Sequence, residues 1–381
     1  MGFFITYLRK VNDVIVIGGG LAGLINSILL RRAGLKVLLF EEKKYPFHRV
    51  CGEYISNEVI PYLRNINLFP EELNPTNISQ FQLSAVSGSF LKIPLDLGGF
   101  GISRYLFDSW LADKAKEEGV EIIHERIVES AMKNNHHVVT SKSGEAYESK
   151  VVIGAFGKRS ILDKNLDRPF ISRRSPYIGV KYHIKTEYAV SDEIALHNFQ
   201  GGYCGISMVE NEVYNLCYLS HRSNLKKHGS IPNMEKELIA RNPHLKHLFF
   251  ESEFLFDKPE VINEITFEKK EPVFNHILMS GDSAGMITPL CGNGMAMAIH
   301  STKILSELII KNLSEGFDRS KLENDYRAAW NSMFANRLLA GRKIQGLFGS
   351  ANLSGTAVMF GKLFPPFTRF LMKKTHGSPI S

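Results

Sequence analysis

Three glycines, Gly18, Gly20 and Gly23, and a carboxylate at Glu41 are the residues of this 381-residue chain whose types and spacing point most directly to chemistry. Gly18 suits a tight turn off a strand, Gly20 leaves the backbone bare for a pyrophosphate to approach, and Gly23 lets a helix pack close to a sheet. Glu41 follows Gly18 by twenty-three residues, a separation that fits a carboxylate accepting the ribose hydroxyls of an adenosine. A carboxylate there disfavours a 2′-phosphate and so excludes NADP, while FAD and NAD stay open. Far downstream, Gly281-Asp282 precedes Gly292 and Gly294. Asp282 can accept a hydrogen bond from a polyol hydroxyl, or serve as the carboxylate of a cap or turn.

These residues need elements to hold them. Val14 to Ile17 is a continuous apolar run, the pattern of a parallel strand buried on both faces. A helix over Leu21 to Ala33, stopped at Gly34, would aim the amides of Leu21, Ala22 and Gly23 and its positive dipole end at the phosphates. The second strand, Lys36 to Phe40, delivers Glu41. In the basic loop that follows, Arg49 can reach the cofactor phosphates or lie solvated, and Cys51-Gly52-Glu53 is the next feature that could touch chemistry. Helical spacing marks Asn57 to Leu68 and Tyr105 to Glu118, with Arg104 at the entrance of the latter and Trp110 in its core register. Phe81 to Pro94 reads as a hairpin, Val120 to His124 as a strand, and His136 to Ser149 as a meander running into a buried strand at Val151 to Gly154. From Pro169 to about Glu271 alternating strands, with a helix near Met234 to Asn242, indicate a separate antiparallel layer. Strand Ile277 to Ser280 then leads to a long helix after Gly294, whose dipole is a second candidate for pointing at a ligand, and the remainder is helical.

Composition sets the outer limits. The hydrophobic content of 44% supports an ordinary globular core, and 46 Lys and Arg against 39 Asp and Glu give a net charge of +7, with a pI near 9.0. That excess suits an anionic ligand or membrane surface, and its spread along the chain argues against nucleic acid. Cys51, Cys204, Cys217 and Cys291 lack the spacing of a metal or cluster site. Few cysteines and an opening MGFFITYLRK too short for a signal core place the protein in the cytoplasm, with any membrane contact peripheral to the inner face. LFPPFTRFLMKK near the end mixes aromatic and basic residues and could lie on a membrane, close over an apolar pocket or simply pack as a terminal helix.

Taken together, these segments resemble the FAD-dependent group that includes para-hydroxybenzoate hydroxylase, and within it most closely the geranylgeranyl reductase family. Gly18-Gly19-Gly20-Leu21-Ala22-Gly23 looks like the ADP-binding fingerprint, YPFHRVCGE resembles the P…CG segment with Cys51 and Gly52, and Gly281-Asp282 with Pro289 and Gly292-Asn293-Gly294 is similar to the second flavin motif. The resemblance implies an α/β fold: a Rossmann-type, glutathione reductase-like FAD-binding domain with an inserted antiparallel substrate sheet and C-terminal helices. It assigns 1–80, 101–168 and 272–320 to FAD binding, 81–100 and 169–271 to the substrate side, and 321–381 to the helical end. It also implies that Asp282 binds the ribityl chain, that Arg104 contacts FAD, and that Cys51 and Cys291 border the flavin ring, where they could form a redox pair or donate a proton. The hydroxylases' middle DG motif appears here as Ala155-Phe156-Gly157 without its aspartate, and the halogenases' WxWxIP element is missing.

Three activities fit: a monooxygenase hydroxylating a lipophilic aromatic compound, which is the leading reading; a geranylgeranyl reductase-like enzyme reducing C=C bonds of an isoprenoid; and an electron-transfer flavoprotein. A second GxGxxG unit is not seen, so NAD(P)H would visit only transiently as reductant.

Overall fold

Two β-sheets lie side by side, and the path of the chain between them decides where a ligand can sit. The computed structural model describes residues 11–173, 175–288, 292–345, 350–364 and 377–380. Strand β1 (Asn12–Ile17), the helix Leu21–Arg32 and β2 (Val37–Phe40) form the opening βαβ unit. Val14, Ile15 and Val16 are wholly buried, as a strand covered on both faces requires. The chain then crosses to the second sheet with β3 (Tyr54–Ser56), β4 (Thr76–Ser84) and β5 (Phe90–Gly101). It returns through the helix Arg104–Glu117 to β6 (Glu121–Ile123), β7 (Ile127–Lys133), β8 (His136–Ser141) and β9 (Ala146–Gly154).

A second excursion supplies β10 (Tyr177–Lys185), β11 (Glu193–Phe199), β12 (Gly202–Met208), β13 (Tyr214–His221), β14 (Glu253–Phe254) and β15 (Glu260–Ile265). The chain comes home with β16 (Val273–Phe274), β17 (Ile277–Met279) and the helices Gly294–Ser314 and Arg319–Gln345. The first sheet runs β16-β17-β9-β1-β2-β6, with β7 and β8 attached through β9. Its β17, β9, β1, β2 and β6 are all parallel neighbours. The second runs β14-β10-β13-β12-β11-β4-β5-β3, with β15 also on β10.

The fold class is the one the sequence indicates, with several corrections of detail. The expected meander strand and the buried strand after it are one strand, β9, whose start pairs antiparallel with β8 and whose end pairs parallel with β1. The hairpin begins at Thr76 rather than Phe81, and Tyr54–Ser56 already belongs to the second sheet. That sheet is not purely antiparallel either: β4 and β11 run parallel, from Glu193↔Gln80 to His197↔Ser84, because β4 meets its neighbour across a long crossover rather than through a turn. The helix expected near Met234 to Asn242 is Ile231–Glu237, followed after a short turn by Pro243–Phe250. Both cover the outer face of the second sheet with Met234, Leu245 and Leu248, leaving its inner face toward the first sheet. Trp110 packs only partly against the core, and its indole N–H reaches Glu72.

Candidate functional site

A cavity of about 890 Å³ runs between the sheets, within the size range of small-molecule and cofactor sites. Gly18, Gly20, Leu21 and Ala22 line one stretch, and Gly281, Asp282, Gly292 and Gly294 another. The two segments meet: the amide of Asn26 donates to Ser280 Oγ at 3.2 Å, and a Cβ on Gly281 would stand 3.1 Å from that of Ala22. Residues more than 250 positions apart in sequence therefore share one wall.

Each glycine of the first turn answers to a contact. Gly18 has φ +106°, and a side chain there would run into the Ala155 carbonyl; one on Gly23 would run into the carbonyl of Gly18. A Cβ on Gly20 would meet only the Arg104 guanidinium, at 3.2 Å, so the bare backbone at Gly20 faces the cavity. The helix that follows has no side-chain cap on its first turn, and its free amides and dipole favour an anion. At the end of β2 the Glu41 carboxylate is buried. It accepts from Gly19 N at 2.9 Å, Lys43 N at 3.0 Å and Arg49 at 3.0 Å.

Arg49 and Arg104 are held by one acid. Asp108, one turn into the Arg104–Glu117 helix, accepts two bonds from Arg104 at 2.6 and 2.7 Å and one from Arg49 at 2.9 Å. Burial works against the Arg104 charge, and Asp108 more than offsets it, so the guanidinium stays charged on the cavity wall. On the far side, Lys270 donates to the carbonyls of Lys158 and Asp282, at 2.7 and 2.8 Å, tying the loop after β9 to the second turn. Burial lowers this lysine to about 8 against the pull of Asp163 and Asp282. Asp282, in the short turn that follows β17, lines the cavity.

The loop from Val50 to Glu53 spans both sheets. Lys158 Nζ donates to Val50 O at 2.9 Å, Asn215 to Cys51 O at 3.1 Å and Ser207 to Gly52 O at 3.3 Å. Glu53 is wholly buried and receives Lys181 Nζ at 2.5 Å, His183 Nε2 at 2.7 Å and Arg104 N at 2.8 Å. Burial alone would push its carboxyl up; Lys181 and His183 overcome that and hold it at about 2. Lys181 and His183 escaped the sequence reading, although a signal was present: charge-bearing residues two apart in the otherwise apolar run Ile178–Ile184 must share one face and find a partner.

Cys51 lines the cavity with its Sγ 3.4 Å from Met295 Sδ. Cys291 and Pro289 lie outside the described residues. A different cysteine, Cys217 on β13, is on the same cavity wall, and burial raises its thiol to about 12. His48 packs against Tyr105, His183 and Phe256, and burial lowers it to about 4; His300 is lowered to about 4 by burial as well. Both are neutral at physiological pH. Among the described residues no group of three or more His, Cys, Asp or Glu is placed to hold a metal.

The bare turn, the uncapped helix, the buried Glu41 carboxylate and the second glycine turn match the needs of an extended dinucleotide. A family model described as an FAD binding domain matches residues 11–329. The chain belongs to the FAD binding domain family. FAD is its cofactor, and it is an FAD-dependent oxidoreductase. Among its relatives, Protein FixC of Escherichia coli O157:H7 is 25% identical over 353 residues, covering 84% of this chain and 81% of the relative. Digeranylgeranylglycerophospholipid reductase of Methanococcus vannielii is 22% identical over 374 residues, covering 91% and 88%. In structure, a geranylgeranyl bacteriochlorophyll reductase-like protein of Thermoplasma acidophilum superposes with a TM-score of 0.77 at 18% identity, over 92% of this chain and 91% of the other. The resemblance to geranylgeranyl reductases within the hydroxylase group thus holds.

Proposed function

We propose that this protein uses FAD to transform a hydrophobic substrate held between the flavin-side loop Val50–Glu53 and the inner face of the second sheet. The observation that carries this is the far wall of the cavity, where Leu196, Tyr203, Leu219, Ile265 and Met286 form a largely apolar lining continuous with the dinucleotide cleft. Gly18, Gly20, Leu21, Ala22 and Gly23 hold the pyrophosphate, Glu41 the adenosine ribose, and Asp282 the polyol, with Arg49 and Arg104 supplying positive charge. Gly292 and Gly294 bring the start of a second uncapped helix to the cavity. When bound, the cofactor supplies the two-electron chemistry. The chain's own residues bind it, keep water from the apolar end and fix Cys51 at the wall. NAD(P)H visiting transiently, or a partner protein, delivers the electrons.

The leading chemistry is hydroxylation of a lipophilic aromatic ring by oxygen. The second is reduction of an isoprenoid C=C bond, which the reductase relative and the Cys51 thiol on the cavity wall favour as a reading. One experiment separates them. The flavin is photoreduced without oxygen, then mixed either with oxygen and a long-chain phenol or with anaerobic geranylgeraniol. Oxygen-dependent return of the oxidised flavin band with a hydroxylated phenol supports the first reading. Return of the band with geranylgeraniol alone, and a saturated product, supports the second. A flavin that neither probe reoxidises, yet that passes electrons to a quinone, would favour the electron-transfer reading and refute both.

A further inference from the structure

We propose that the helix Ala351–Leu363 seats the protein on an anionic lipid surface, with the apolar end of the cavity directly behind it. This deepens the proposed function and rests on the substrate being hydrophobic. The helix is inverted relative to one that packs on a water-soluble core. Its buried positions are Ser354, Val358 and Gly361, spaced at i, i+4 and i+7. Its outward side, with the residue that follows, shows Leu353 (47% exposed), Met359 (59%), Phe360 (44%), Leu363 (66%) and Phe364 (51%). A soluble helix turns its large apolar side chains inward, and a contiguous exposed set of this kind marks an interaction surface.

Val358, on the buried side, belongs to the same apolar cluster as the cavity residues Leu196, Tyr203, Leu219 and Met286. One helix therefore touches the substrate wall with one side and offers bulky apolar groups with the other. Charge identifies the occupant. From 326 to 381 the sequence carries no Asp or Glu and eight Lys and Arg, of which Arg337 is paired with the buried Glu58, against 38 Lys and Arg and 39 Asp and Glu in the rest of a chain whose net charge is +7. Lys362 is in the same turn as Leu363, its Nζ over the ring of Phe90, which is itself 42% exposed. Apolar groups interleaved with cations fit the boundary between anionic headgroups and acyl chains. A 13-residue helix spans roughly 20 Å, less than the hydrocarbon core, so it lies in the interface rather than crossing it.

The test is flotation of the full-length, flavin-loaded protein with vesicles of phosphatidylcholine alone or mixed with phosphatidylglycerol. Binding is expected on the anionic vesicles and should weaken with salt. Met359→Ser and Leu363→Ser should each lower partitioning roughly fivefold, and Lys362→Gln about as much, but on anionic vesicles only. All three should leave unchanged the FAD content and the flavin reoxidation by detergent-dispersed geranylgeraniol, or by oxygen in the presence of the dispersed phenol. Absence of binding, or binding indifferent to these substitutions, overturns the assignment; so does a concentration-dependent dimer that the same substitutions abolish, which would give the face to a second copy. Vesicle binding without turnover of any hydrophobic probe would leave the docking face standing and refute the substrate reading instead.

Discussion

Lys181→Met should be among the most damaging single substitutions in the protein, although Lys181 is neither in a motif nor on the surface. Its ammonium and the Glu53 carboxylate are both fully shielded from solvent and 2.5 Å apart. Glu53 is held at about 2 against an ordinary 4.5, which corresponds to about 3 kcal/mol of stability at 1.36 kcal/mol per tenfold. Removing one partner of a buried pair strands the other, at a cost of about 3–5 kcal/mol. Because the carboxyl is depressed in the folded state, its contribution is present above about pH 4.5 and is lost as pH falls toward 2. Urea unfolding at neutral pH should show the full loss in Lys181→Met, and Glu53→Gln in the same background should recover most of it, since an amide carries no charge to strand. His183 keeps one bond to position 53 and sets a floor to the damage. If Lys181→Met costs less than about 1 kcal/mol, or if the double substitution is as unstable as both single losses added, the two groups are not coupled and the account of the loop is wrong.

Other perturbations follow from the same geometry. Burial raises Glu235 to about 7, although the hydroxyls of Tyr182 and Tyr218 donate to it at 3.0 and 2.8 Å. Its contribution to stability is therefore complete below about 4.5 and declines as pH rises through 7, by about 3 kcal/mol in all; Glu235→Gln should flatten the urea midpoint across that range. Gly20→Val places a side chain where the backbone faces the cavity, so FAD affinity measured by fluorescence quenching should fall at least about tenfold with the unfolding midpoint nearly unchanged, whereas Gly23→Ala should lower the midpoint through its clash with the Gly18 carbonyl. Cys51→Ser should cut turnover at least about tenfold if the thiol delivers a proton, with FAD affinity unchanged; equal turnover would remove Cys51 from the chemistry.

Much of the nucleotide side was legible in the sequence because its pattern is local. A doubly buried strand, three glycines at fixed offsets and an acid at the end of the next strand all fall within Asp13 to Glu41, although only the contact of Gly23 with the Gly18 carbonyl is short-range, the one that excludes a side chain at Gly18 coming from Ala155. The second turn was legible only as a candidate, since nothing near Asp282 reveals that Ala22 and Asn26 lie against its neighbours. What escaped depends on long-range pairing. Asp108 holds Arg49 from fifty-nine positions away, and Lys181 reaches Glu53 across 128. Periodicity could place Lys181 and His183 on one face of a strand, but not say that the face looks inward. The parallel joint of β4 with β11 was hidden for the same reason: register between strands distant in sequence leaves no mark on either.

The Val50–Glu53 loop shows why those distant partners matter to function. Glu53 has φ +53°, a left-handed conformation that a non-glycine residue rarely adopts. It persists because its surroundings determine it several times over: Ile102 N donates to its carbonyl at 3.2 Å, while Lys181, His183 and Arg104 N fix its carboxylate. The same anchoring extends to Val50, Cys51 and Gly52, whose carbonyls are taken by Lys158, Asn215 and Ser207. Of those three, Asn215 and Ser207 belong to the second sheet, whereas Lys158 follows β9 of the first. A loop pinned at both ends to different sheets cannot move with one and not the other. The carbonyl of Cys51 is held from the second sheet and that of Val50 from the loop after β9, so the segment that carries this thiol bridges the two sheets on the cavity wall.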